Sequence, residues 1–247
     1  MHKIFVVTHL QSNLKLPDGY SYIKVGGGDF VTEFDDKLGR NISSKNPFYC
    51  ELTALYWIWK NYECDPERTI GLAHYRRVLC EHSPISFLLK KPLALSKINR
   101  LLQQYDLVLP NKVEFERGIY SQYGEAHDLD DLDLCLNYLT SSSNLNPLVL
   151  KKFKEEKRAS VYNMIICKKR IFDSYCEWLF NILFAVESDL KLSERTGYQQ
   201  RVAGFLSERL FNLWLIQNPK YKTICFPILR MDKSGFSNLN RLRKKAF

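Results

Sequence analysis

The run Lys3–Thr8 (KIFVVT) is almost continuously apolar and β-branched, which predicts a strand buried on both faces. Tyr20–Val25 repeats that texture and stops at Gly26, Gly27 and Gly28. Thr69–Ala73, Asp106–Leu109, Ser160–Cys167 and Tyr221–Leu229 are further apolar runs of strand length. Between them the period changes. Phe48, Leu52, Leu55 and Trp59 recur every third or fourth residue, which is one face of a helix. Asn46 before Pro47 supplies an N-cap and a first helical residue, so a helix is predicted from Asn46 to near Asn61. Others are predicted over Leu95–Tyr105, from about Leu129 to Thr140, over Ile171–Val186 and over Tyr198–Gln217, where Val202, Leu206, Leu210 and Leu213 form one stripe. Asp35–Lys45 and Ser141–Asn146 are polar and predict loops.

Strands thus alternate with helices, with no internal repeat and no linker. The pattern predicts a single α/β domain over residues 1–247, a mostly parallel central sheet flanked by helices. Ligands of such open sheets sit at the carboxyl ends of the strands. Here those ends are His9, Gly26–Gly28, His74–Arg77 and Pro110.

Composition narrows the function classes. Hydrophobic residues make up 45% and charged residues 26% of 247, as in an ordinary globular protein. The seven cysteines contain no CxxC pair, which argues against a zinc site or a disulfide framework and for reduced thiols in the cytosol. The apolar part of MHKIFVVTHL is short for a signal peptide. No window approaches the roughly 18 apolar residues of a membrane span, so the expected location is cytoplasmic, with any membrane contact peripheral. The net charge of +9 points to an anionic partner. The basic end, residues 230–247, carries Arg241–Lys245 (RLRKK), suited to the anionic inner face of the membrane. A non-catalytic module binding RNA or another anionic polymer is the alternative class. No RRM, KH or helix-turn-helix pattern is present, and no nucleic-acid partner is expected.

The densest candidate chemistry is His74-Tyr75-Arg76-Arg77, at the end of a core strand. Arginine forks match phosphate oxygens and stay charged. On an extended chain the two would point to opposite sides, so one is expected to face a ligand. Gly26 and Gly27 allow close backbone approach, yet neither GxGxxG nor GxxxxGK[ST] is present, which argues against a Rossmann dehydrogenase and a P-loop enzyme. Lys45 and Asn46 open a helix whose N-terminus favours an anion. In HDLDDLDL, Leu129, Leu132 and Leu136 share a helix face and the acids complement the first turn, against a metal cluster. Gly204 in mid-helix predicts close packing, and Glu208 is a general base or an ion-pair partner of Arg209 or Arg201.

Ordered blocks run through nearly the whole chain: VVTHL, KVGGG, GRNISSKNPFYCELTALYWIWKN, GLAHYRR, SVYNMIICKK with YCEWLF, and QRVAGFLSERL. Over residues 3–217 they resemble the bacterial DUF4422 domain of capsular-polysaccharide and O-antigen gene clusters. The first block departs from the family's pattern, with Leu10 where a lysine follows the histidine. The resemblance implies a GT-A-like, Rossmann-like glycosyltransferase that takes a UDP-sugar donor and a lipid-linked or oligosaccharide acceptor, with galactose or galactofuranose as the sugar. GT-A enzymes usually hold a divalent metal with Asp-x-Asp at a central strand end. Here His74–Arg77 stand in that place, so side-chain cations are expected to replace the metal and no cofactor is expected. On this reading His9, Val25, Gly26, Gly27, Lys45 and Asn46 join His74, Tyr75, Arg76 and Arg77 around the donor. Tyr162, Asn163 and Arg201 are assigned to the acceptor. An inverting reaction needs a base, for which Glu208, His127 and Asp128 are the candidates.

Overall fold

Alternation along β1 (Lys3–Thr8) sends Phe5 and Val7 to one face of a sheet and Ile4 and Val6 to the other, and both faces are buried. The protein, a computed structural model, is described over residues 1–12, 15–142 and 145–244, with side chains through residue 240. The further strands are β2 (Tyr20–Lys24), β3 (Phe34–Asp35), β4 (Thr69–His74), β5 (Arg77–Leu79), β6 (Leu107–Pro110), β7 (Val113–Glu114), β8 (Arg158–Ala159), β9 (Ile165–Lys168), β10 (Thr223–Phe226) and β11 (Ile228–Arg230). The α-helices are α1 (Asn46–Tyr49), α2 (Leu52–Asn61), α3 (Pro84–Leu88), α4 (Leu95–Leu101), α5 (Ile119–Ala126), α6 (Leu129–Ser142), α7 (Pro147–Glu155), α8 (Lys169–Val186), α9 (Val202–Gln217) and α10 (Gly235–Lys244).

The main sheet has the order β10-β6-β9-β4-β1-β2-β3, with β5 joined to β4 and β11 to β5. Along that path β9 alone runs against the rest. Helices α2, α6, α8 and α9 pack on the Phe5 face, and α3 and α4 on the Ile4 face. The fold is therefore the expected α/β one, with a mostly parallel central sheet between helices. Gly71 of β4 is pinched between neighbouring strands: a Cβ there would lie 2.7 Å from Ile166 Cγ1 and 2.8 Å from Ile4 Cδ1.

Several boundaries differ from expectation. The helix predicted from Asn46 breaks at Cys50, whose φ is 51°, giving α1 and α2. The strand predicted over Ser160–Cys167 is only its last part, because Tyr162 (φ 79°) and Asn163 (φ 49°) turn the chain in the left-handed region. Pro227 separates β10 from β11, and a 3-10 turn, Gly197–Arg201, precedes α9. Helices α3, α5, α7 and α10 are additional. All seven cysteines are free thiols. Among the described residues, no helix is long and apolar enough to cross a membrane.

Candidate functional site

The parallel strands β1, β2 and β4 end side by side, with Thr8 beside Lys24 and Val7 beside His74. A cleft of about 560 Å³ opens on that edge, lined by His9 and Val25 from the strand ends and by His74, Tyr75, Arg76 and Arg77. The chain does not run on as an extended strand through HYRR. Tyr75 and Arg76 form a two-residue turn, and His74 pairs with Arg77 as the chain reverses into β5. The extended course that would send the two arginines to opposite sides is not taken: the reversal places both Arg76 and Arg77 among the residues lining the cleft. The Arg77 guanidinium lies 4.8 Å from the centre of the Tyr162 ring, and that of Arg76 5.2 Å from Tyr75. His9 meets Tyr75 edge-on at 5.3 Å.

The opposite wall comes from α1, α9 and the turn before β9. Because β9 is antiparallel, its leading residues arrive at the carboxyl edge of its neighbours. Tyr162 O accepts from His74 Nε2 at 2.5 Å, fixing a proton on that nitrogen. Tyr162 N–H donates to Glu208 Oε1 at 2.8 Å. Asn163 Nδ2 donates to Glu51 Oε1 at 2.7 Å and to Gly204 O at 3.1 Å, and Asn163 Oδ1 accepts from Ser207 at 2.9 Å. Two successive left-handed non-glycine residues carry a strain cost, and these hydrogen bonds hold them in place. Arg201 reaches across with its Nε 3.1 Å from Cys50 Sγ. Among the described residues, no carboxylate lies within 4.0 Å of Arg76, Arg77 or Arg201.

Electrostatics divide the cleft. Burial, then Arg76 and Arg201, lowers the His9 pKa. Burial above all lowers that of His74 as well, with Arg77 and Arg76 adding to it against Glu51 and the Tyr162 carbonyl. Both imidazoles are thus inclined to neutrality, leaving the guanidiniums as the permanent positive charge. Across from them, Glu51 and Glu208 line the same cleft. Burial raises the Glu208 pKa and nearby Glu51 adds to it, against the Tyr162 N–H, Arg209 and Arg77. The Arg209 pair is loose, at 3.6 Å.

Of the residues expected at the site, His9, Val25, Asn46, His74, Tyr75, Arg76, Arg77, Tyr162, Arg201 and Glu208 line one cleft. Others are placed elsewhere. Gly26 takes a φ of 73° and sits against Asn46, with room for no Cβ because Asn46 Oδ1 would be 2.6 Å away. Gly27 (φ 95°) and Lys45 are not lining residues, and Lys45 is ion-paired with Glu187. Asn46 lies inside α1 and is not its cap; its Nδ2 donates to Cys50 O and Thr53 Oγ1. Asn163 supports the wall from beneath. His127 is outside the lining, stacked 4.0 Å from Phe205 with Nδ1 3.0 Å from Gln199 Oε1. Asp128 Oδ1 accepts from Asp130 N–H at the start of α6. Pro110 ends β6 away from the cleft.

Glu51, Gln200 and Cys50 are lining residues that sequence reasoning missed. A signal for Glu51 existed in its place one residue before the apolar run of α2. Among the described residues no three His, Cys, Asp or Glu side chains are grouped as a metal would require. The tail Arg241–Lys245 lies outside the described residues as far as its side chains are concerned.

A family model described as Domain of unknown function (DUF4422) matches residues 3–219. Among solved structures, the chain is similar to the apo structure of WbbM, described as a bifunctional glycosyltransferase, with 26% identity and a TM-score of 0.81. The match covers 94% of this chain and 45% of that one, so the chain spans under half the length of its structural relative. The curated proteins contain no match.

Proposed function

We propose that this chain, which belongs to the DUF4422 family, is a glycosyltransferase whose cleft holds the diphosphate of a UDP-sugar between Arg76, Arg77 and Arg201. The observation that supports the reading is that Arg76, Arg77 and Arg201 line one cleft at the carboxyl edge of a parallel sheet, with no carboxylate within ion-pair distance of them among the described residues. Unpaired arginines beside a cavity are suited to phosphate oxygens. As the glycosidic bond breaks, negative charge grows on the β-phosphate, and fixed cations stabilise it there. In this proposal they do what a divalent metal does elsewhere, so no metal is needed.

Glu208 is the candidate base that lines the cleft, whereas His127 and Asp128 do not. A carboxylate whose pKa is pushed up is a better proton acceptor for a sugar hydroxyl. Tyr162 lines the same wall as Glu208, which this proposal gives to the acceptor, and Arg201, assigned to the acceptor by the resemblance, is here given to the diphosphate. A lipid-linked saccharide as acceptor, galactose or galactofuranose as the sugar, surface-polysaccharide synthesis as the role and the inner face of the membrane as the place complete the proposal. They rest on the family resemblance.

UDP is expected to raise the melting temperature, and Arg76→Ala and Arg77→Ala each to weaken that shift. EDTA is expected to leave transfer intact. Full activity in both variants, or loss of activity with EDTA, would overturn the assignment of the cations. The anomer of the product, read by NMR, decides whether the reaction inverts, as a base role for Glu208 requires.

A further inference from the structure

Helix α3 is amphipathic over a single turn. Ser86 and Phe87 are buried, while Ile85, Leu88 and Leu89 stand 62%, 38% and 60% exposed. Their spacing of three and four residues puts them on one side. Helix α10 packs against α3, with Gly235 lying on the Leu88 carbonyl, and the next residue, Phe236, is 72% exposed. Four exposed large apolar side chains are thus carried by two helices that pack on each other. Such a patch marks an interaction site more often than it marks chance.

The charges around it identify the partner. Lys91 and Lys233 are exposed at its edge. The nearby acids are occupied: Asp232 pairs with Arg230 at 3.3 Å and Glu81 with Lys97 at 2.8 Å. An apolar patch edged with cations is how a protein lies on an anionic bilayer, apolar groups in the acyl boundary and ammonium groups among the headgroups. A second copy of the chain would bring the same cations against themselves.

The patch is also tied to the cleft. Met231 N–H donates to Arg76 O at 3.0 Å, and Met231 O accepts from Lys90 Nζ at the end of α3. Strand β11 pairs with β5 through Arg230 and Arg77. We infer that Ile85, Leu88, Leu89 and Phe236 form a membrane-seating surface that sets the mouth of the cleft against an anionic lipid layer. The inference rests on the reading of the acceptor as lipid-linked, and it assigns the contact to a folded surface and not to the tail alone.

The experiment is co-sedimentation with vesicles of phosphatidylcholine and phosphatidylglycerol, beside vesicles of phosphatidylcholine alone. The wild type is expected to pellet with the anionic vesicles and weakly with the neutral ones. The triple variant Ile85→Ser, Leu89→Ser, Phe236→Ser is expected to partition about tenfold more weakly or worse, with its melting temperature and its UDP-induced shift retained. A chain ending at residue 240 should keep part of the binding. Wild-type protein that stays in the supernatant, or a triple variant that binds as the wild type does, overturns the proposal. So does a wild-type dimer by light scattering that the triple variant dissolves without any vesicle binding. Failure of the transferase reading shows separately, as the absence of a UDP shift in the wild type.

Discussion

Asp36 lies just past the end of β3, 0% exposed, and neither carboxylate oxygen has a hydrogen-bond partner among the described residues. Burial, with Asp35 adding to it, raises its pKa from 3.8 to about 6, while Thr53, Lys37 and Lys24 pull the other way. The Thr53 hydroxyl gives the carboxylate little relief, because it donates to Cys50 O at 3.0 Å. A difference of about two units corresponds to roughly 3 kcal/mol at 1.36 kcal/mol per unit. The sign follows from proton binding. The folded state holds the proton more tightly, so stability falls as pH rises from about 4 to about 6, and the full penalty stands above that window. Asp36→Asn keeps the shape and removes the charge. It is expected to stabilise the protein at about pH 8 by about 1–3 kcal/mol, the lower end allowing for the amide's own unmet hydrogen bonds. For a chain of this size that is about 2–4 °C in Tm per kcal/mol. The gain should vanish near pH 4, where the wild-type carboxyl is already neutral. Thermal melts of both proteins across this pH range provide the assay. A variant less stable than the wild type at about pH 8 would mean that the ionised carboxylate has a favourable partner, and the reasoning would be wrong.

Gly71→Ala forces a Cβ against Ile166 and Ile4 at the centre of the sheet and is expected to cost about 1–3 kcal/mol, read by urea denaturation. Glu208→Gln is expected to lower kcat by about 10²–10⁴ while leaving UDP affinity near wild type; equal losses in both would assign Glu208 to binding. Because its pKa is raised, the wild-type rate should climb with pH along a shoulder above the ordinary carboxylate range, and the shoulder should disappear in the variant. Arg77→Lys keeps the charge but loses the flat contact with Tyr162, so UDP binding by calorimetry should fall between wild type and Arg77→Ala, with uridine binding unchanged in all three.

The strands that carry the site were legible because β1 and β4 are buried on both faces and read as nearly unbroken apolar runs, and because β2 stops at three glycines. Of the strand ends read from the sequence, His9 and His74–Arg77 line the cleft, whereas Gly26–Gly28 and Pro110 do not. What local pattern could not reveal was the reversal at Tyr75–Arg76. Val78 and Leu79 look like a resumed strand, yet they pair back through β5 with β11, a segment from the far end of the chain. Glu51 escaped for a related reason. The spacing of Phe48, Leu52, Leu55 and Trp59 fits one helix, and nothing in it announces the break at Cys50 that turns Glu51 toward the cleft. At Asn146, before Pro147, a cap that was not predicted is present: Asn146 Oδ1 accepts from Leu148 N–H at 2.8 Å and starts α7. At Asn46 the same pair sits within a tertiary network, and its side chain serves that network. Asn163 alone hinted at the left-handed turn, since asparagine tolerates that conformation better than most residues. The direction of β9, on which the whole opposite wall depends, is a property of topology and has no local signature.

Strand β9 has a further consequence for how the protein is made. It inserts between β4 and β6, both already synthesised, and only then do Tyr162 and Asn163 meet His74 and Glu51. Glu208 must then arrive on α9 to accept from Tyr162. A nascent chain can therefore possess Arg76 and Arg77 and still have no pocket. Ligand affinity in this protein reports completed long-range assembly, and a ligand that fills the cleft will stabilise the sheet as a whole through linkage, not the hairpin that touches it.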